Sequence, residues 1–137
     1  MPPVTGVLET SLYVADLRRS AAFYRDLFGF EVLSADERFC GLNVAGRQVL
    51  LLFQKGLCAA PAVLPGGTIP GHDGGGRLHL AFAVAAADLP AWEERLRQQG
   101  VAVESTVDWP RGGRSLYFRD PDGHLVELAT PGLWSIY

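Results

Sequence analysis

Apolar residues alternate with polar or small ones over Leu8–Val14 (LETSLYV) and again over Leu78–Val84 (LHLAFAV), the period of a half-buried strand. Each strand is followed by a short polar turn containing Asp-Leu (Asp16-Leu17 and Asp88-Leu89) and then by a stretch of helical period. In the first helix Ala22, Phe23 and Leu27 share a face, with Tyr24 and Phe28 alongside; in the second Leu89, Trp92 and Leu96 recur at helical spacing. Gly29 and Gly100 stand where a left-handed residue ends a helix. New strands start at Phe30-Glu31-Val32 and Val101-Ala102-Val103. Two more close each half, about residues 38–44 and 48–53, then 115–119 and 125–129. Ala45-Gly46 and Asp120-Pro121-Asp122-Gly123 supply the hairpin turns between them.

Each half therefore reads βαβββ, and the chain is that unit twice. Two mixed units, each with one helix on a small sheet, predict an α+β fold. The first repeat covers about residues 5–54 and the second about 77–131. The segment of about 55–76 between them (KGLCAAPAVLPGGTIPGHDGGG for residues 55–76) has no apolar period and reads as a long loop or linker.

Composition narrows the function. In 137 residues, 12 Lys and Arg are scattered among 15 acids without a basic run, which argues against a nucleic-acid groove or an anionic membrane surface. No apolar stretch approaches a membrane span, and the Pro-rich N-terminus lacks the features of a signal peptide. Cys40 and Cys58 form no C-x-x-C motif and no disulfide framework, so a reducing cytoplasm is the expected compartment.

Three ionisable residues interrupt otherwise apolar or small strands. Glu9 and His79 occupy equivalent positions in the two first strands, and Glu127 lies between apolar neighbours in the last. A buried carboxylate is costly unless it is paired or binds a metal, so the three suggest one site of two carboxylates and an imidazole. Against this stand a satisfied core histidine and two solvent-facing glutamates, which alternation alone does not exclude.

The segment from Leu12 to Phe30 (LYVADLRRSAAFYRDLFGF), with Tyr117–Leu128 (YFRDPDGHLVEL), resembles the vicinal oxygen chelate superfamily. That group includes glyoxalase I, extradiol dioxygenases, fosfomycin-modifying enzymes and bleomycin-sequestering proteins. The resemblance implies a single vicinal oxygen chelate domain over residues 1–137, homodimeric, with each site shared between subunits: Glu9 of one with His79 and Glu127 of the other. It implies a divalent metal ion (Fe, Mn, Zn or Ni) held by Glu9, His79 and Glu127, the second carboxylate hardening the site. The fourth family ligand position falls at Leu51, which disfavours four-ligand glyoxalases and favours a three-ligand site open to a chelating substrate.

The expected function is a metal-dependent enzyme acting on a small oxygen-chelating or aromatic substrate, ring-cleaving dioxygenase ahead of lyase or isomerase. The contrasting expectation is a drug-sequestering protein of the bleomycin-resistance type, without chemistry. Tyr117 is the expected proton donor, and His72 a base on a loop closing over the site. Arg114, Ser115, Trp109 and Phe53 are the expected substrate contacts, Arg114 for an anion. His124, after the Asp-Pro-Asp-Gly turn, is expected on the exposed surface.

Overall fold

The computed structural model describes residues 1–137. The chain divides between Gly75 and Gly76 into two compact units.

Unit 1 runs β1 (Glu9–Val14), α1 (Leu17–Phe28), β2 (Val32–Ala35), β3 (Phe39–Val44) and β4 (Gln48–Gln54), followed by β5 (Ala62–Leu64) and β6 (Gly67–Ile69). Its four-stranded sheet has the order β1-β4-β3-β2, with β1 parallel to β4 and the other neighbours antiparallel. Unit 2 runs β7 (His79–Ala83), a 3₁₀ turn (Ala86–Asp88), α2 (Leu89–Gln98), β8 (Ser105–Asp108), β9 (Arg114–Arg119) and β10 (Leu125–Ala129). Its sheet order is β7-β10-β9-β8, with the same parallel and antiparallel pattern. Each unit carries the βαβββ order that the alternation predicts.

The repeat extends to single hydrogen bonds. The Leu8 carbonyl accepts from Val49 N–H in unit 1, and the Leu78 carbonyl accepts from Leu125 N–H in unit 2, at 2.9 and 2.8 Å. Glu9 is then in register with Val49 and His79 with Leu125. Two residues further along, Leu51 occupies in β4 the position that Glu127 occupies in β10.

Period two sorts each sheet into a packed face and a second face. Leu12, Val14, Leu42, Leu50 and Leu52 are buried in unit 1, and Leu116, Phe118, Val126 and Leu128 in unit 2. The helix stripes differ in detail from expectation. The buried line of α1 is Leu17, Ser20, Tyr24 and Leu27, leaving Ala22 and Phe23 half-buried, because Tyr24 rather than Phe23 lies at +7 from Leu17. In α2 Leu89 and Leu96 are buried and Trp92 is half-buried.

The helix ends follow local chemistry. The Asp16 carboxylate accepts from Arg19 N–H at 3.0 Å as an N-cap, and Gly29 closes α1 at φ +73°. Asp88 makes no such cap, and α2 instead starts from the 3₁₀ turn with Pro90 in its first turn.

Three expectations are corrected. The segment read as a structureless linker contains the hairpin β5–β6 and belongs to unit 1 up to Gly75. Its three-residue strands are too short to give a period in the sequence. The strand expected at Val101–Val103 starts instead at Ser105, since the Val101 N–H is engaged with the Leu96 carbonyl at the end of α2. His124 is fully buried rather than exposed: its Nδ1 accepts from Leu78 N–H at 2.9 Å, while its own N–H donates to Asp120 Oδ1. The imidazole thus ties the turn before β10 to the start of β7.

Candidate functional site

In unit 2, strand parity puts Ser115, Tyr117 and Glu127 on one face, Tyr117 directly opposite Glu127 in the ladder. Glu127 is 3% exposed, so its charge has little solvent to stabilise it. Two hydroxyls compensate at Oε1: Ser115 donates at 2.5 Å and Tyr117 at 3.0 Å. Trp109 Nε1–H in turn donates to Ser115 Oγ at 2.8 Å. Burial raises the Tyr117 phenol above its ordinary value, and its bond to Glu127 raises it further, so Tyr117 keeps its proton at neutral pH.

With Oε1 engaged twice, Oε2 is the oxygen that faces His79, whose Nε2 lies 3.2 Å away. His79 Nδ1 is 3.0 Å from the Leu125 carbonyl. A carbonyl only accepts, so Nδ1 carries a proton. In neutral His79 the Nε2 lone pair then points at a carboxylate lone pair, a contact that is attractive only with a positive charge between them. An imidazolium proton supplies one; a metal ion held by Nε2 and Oε2 supplies the other. A backbone carbonyl fixing Nδ1–H and hydroxyls fixing the second carboxylate oxygen are the outer contacts that metal-ligating His and Glu use. The residues present therefore fit a divalent ion.

Neither unit gathers three His, Cys, Asp or Glu side chains at one point, so His79 and Glu127 form a pair to which a further donor must be added. The sequence-predicted third ligand, Glu9, is exposed on β1 of unit 1. It lines a cleft of about 540 Å³ together with Ser11, Tyr13, Phe39, Leu51 and Phe53 of the sheet and residues of the segment 58–72. His72 and Phe53, both singled out from the sequence, meet there with their rings 4.5 Å apart in an edge-on contact. Tyr13 completes the group. Its ring stacks on Phe53 at 5.7 Å, and its hydroxyl lies 2.7 Å from His72 Nδ1. Tyr13 was not singled out from the sequence, although it shares the strand parity of Glu9 and Ser11.

The remaining predicted contacts separate. Ser115 and Trp109 belong to the Glu127 network, with Trp109 acting through Ser115. Arg114 has the opposite parity on β9, is in register with Asp108 and is paired with it at 3.4 Å, so it is not brought to Glu127. Arg119 does share the Tyr117 parity, yet its guanidinium is held by Glu104 and the Gly123 carbonyl. Both cysteines are free thiols; Cys40 is buried and Cys58 half-buried. No helix is long and apolar enough to cross a membrane.

Comparison with known proteins adds to this geometry. Residues 6–128 match the family profile described as Glyoxalase/Bleomycin resistance protein/Dioxygenase superfamily. The chain is similar to the metallothiol transferase FosB of Bacillus licheniformis, with 30% identity over 128 residues that cover 93% of this chain and 76% of that protein. It is also similar to the fosfomycin resistance protein FosX of Listeria monocytogenes, at 27% identity over 91% of this chain and 89% of that one. Among solved structures, a lactoylglutathione lyase from Agrobacterium tumefaciens superposes with a TM-score of 0.88 at 36% identity, covering 98% of this chain and 99% of that one.

Proposed function

The chain belongs to the glyoxalase/bleomycin resistance protein/dioxygenase superfamily, and from that premise we propose that it is a metal-dependent enzyme acting on a small oxygen-bearing electrophile. The reading rests on one observation above all: His79 Nε2 and the buried Glu127 Oε2 face each other at 3.2 Å with Nδ1 already protonated. His79, Glu127 and Glu9 would hold the divalent ion, Glu9 coming from the partner subunit of a homodimer. When bound, the ion supplies Lewis-acid polarisation of a substrate oxygen.

The chain's own side chains supply the rest. Ser115 and Tyr117 hold Glu127 Oε1, leaving Oε2 free to act as a ligand. The Leu125 carbonyl fixes the His79 tautomer. Tyr117, a phenol at neutral pH, holds a proton beside the site for an oxygen that gains charge. Because Leu51 stands at the register position of Glu127, the first repeat contributes one carboxylate and no second ligand from β4. Three protein ligands leave room for a chelating substrate.

Among reaction types, addition to or rearrangement of a small oxygenated molecule is favoured, in line with the transferase, fosfomycin-resistance and lyase names of the relatives. Ring-cleaving dioxygenation draws support from the family description alone. Sequestration without chemistry is the second reading, favoured by Leu51 and the aromatic cleft.

Metal titration after chelator treatment tests the proposal. The wild type should take up one Mn²⁺ per chain, and Glu127→Ala, His79→Ala and Glu9→Ala should each lose it. Mixing Glu9→Ala with Glu127→Ala chains should restore about a quarter of the sites, because each heterodimer rebuilds one of its two. A wild type that binds no divalent ion at any loading overturns the reading in favour of sequestration. Failure of the mixture to regain metal overturns the sharing of sites.

A further inference from the structure

The cleft of unit 1 has a composition of its own, and Glu9 on its wall links it to the proposed metal site, on which the following rests for its catalytic meaning. Its walls are Phe53, stacked on Tyr13 at 5.7 Å and 6.3 Å from the Phe39 ring, with Leu51 on the sheet side. A volume of about 540 Å³ lies in the ordinary range for small-molecule sites.

The polar groups are few. Tyr13 and His72 are joined at 2.7 Å. A phenol O–H is a stronger donor than an imidazole N–H, and an imidazole nitrogen a stronger acceptor than a phenol oxygen, so Tyr13 donates to Nδ1. Burial and the neighbouring Asp73 carboxylate raise the Tyr13 phenol, which keeps that proton in place. With Nδ1 accepting from Tyr13, the ring N–H of His72 is on Nε2. The arrangement is braced from behind. A methyl group added at Gly74 would collide with the Tyr13 ring, and His72 N–H is bonded to the Cys58 carbonyl at 2.8 Å.

Charge excludes one class of ligand. The only guanidinium lining the cleft, Arg38, is paired with Asp36 at 3.5 Å, and Glu9 adds a negative charge. A phosphonate dianion would find no cation without a partner here. A flat apolar molecule would find three aromatic side chains and one N–H donor. We infer that this cleft is a binding site for an uncharged, planar, aromatic or conjugated molecule, one of whose oxygen acceptors meets His72 Nε2–H. The substrate of the proposed enzyme is then of that class rather than a small phosphonate.

Binding to the chelator-treated full-length protein, followed by calorimetry, separates this inference from the metal reading. Coumarin, a neutral planar carbonyl compound, should bind saturably at one per chain. Naphthalene, lacking the acceptor, should bind about fivefold more weakly, and phenylphosphonate should not compete. Phe53→Ala should weaken coumarin about tenfold or more. His72→Phe, which keeps the aromatic volume, should make coumarin and naphthalene equal. Coumarin that fails to saturate overturns the inference, as does tighter binding of phenylphosphonate or a preference for coumarin that survives His72→Phe. None of these outcomes bears on metal uptake, which Glu127→Ala tests by itself.

Discussion

Replacing Ser115 by alanine removes one hydroxyl and two hydrogen bonds. The residue is fully buried, so no water replaces either contact without rearrangement. The first lost bond is the 2.5 Å donation to the Glu127 carboxylate, which keeps Tyr117 as its other donor to Oε1. A hydrogen bond to a charged group contributes about 1.5–3 kcal/mol. The second is the 2.8 Å bond from Trp109 Nε1–H, left without its acceptor. Trp109 is half-buried, so partial rehydration limits that cost to about 1 kcal/mol.

The expected destabilisation of Ser115→Ala is therefore about 2–4 kcal/mol, read from urea unfolding with an unchanged slope. Trp109→Phe removes the orphaned N–H in advance. In the double variant Ser115→Ala should cost less, with a coupling of about 1 kcal/mol. Metal affinity provides a separate readout: loosening Glu127 should weaken the ion about tenfold or more. A stability loss below about 0.5 kcal/mol, additive with Trp109→Phe, would refute the idea that this chain of hydroxyl and indole holds the carboxylate.

Two further outcomes follow from the same structure. His124→Ala should cost about 2–4 kcal/mol in urea unfolding, since it opens a cavity and leaves Leu78 N–H without its imidazole acceptor; a change typical of an exposed turn residue would contradict the buried position. Asp36 gives an acid signature. Partial burial pushes its carboxyl up, but the N–H groups of Arg38 and Phe39 and the Arg38 guanidinium outweigh this and hold it below the usual range. A depressed folded-state value means stability that is present above the unfolded value of about 4 and is lost as pH falls through the folded value. The advantage of wild type over Asp36→Asn should thus shrink below about pH 4 in pH-dependent unfolding. An advantage that stays flat, or grows with acid, contradicts the sign.

The sequence alone determined the repeat. Alternation is a local property, and hairpin turns mark where the last two strands of each half meet, so both βαβββ units and the equivalence of Glu9 with His79 are legible in the order of residues. Leu51 as the counterpart of Glu127 comes from the family resemblance, and the parallel register of β1 on β4, which repeats that of β7 on β10, agrees with it. Period two also puts Ser115 and Tyr117 on one face of β9 and Arg114 on the other, against the expectation of Arg114 as a substrate contact; that Glu127 joins the first face follows from the register of β10 on β9.

Parity does not say which groups meet. Only the tertiary structure decided that Oε1 of Glu127 is engaged by two hydroxyls while Oε2 faces His79, because side-chain rotamers and cross-strand distances are not encoded by spacing. It likewise decided that Tyr13 and His72, 59 residues apart, form one hydrogen-bonded pair. It also placed His124 in the interior, where the backbone N–H of Leu78, just before β7, needed an acceptor. A turn histidine looks exposed in sequence because loops usually are. Its burial depends on an unpaired donor 46 residues away, and the demand that buried donors be satisfied acts through space rather than along the chain.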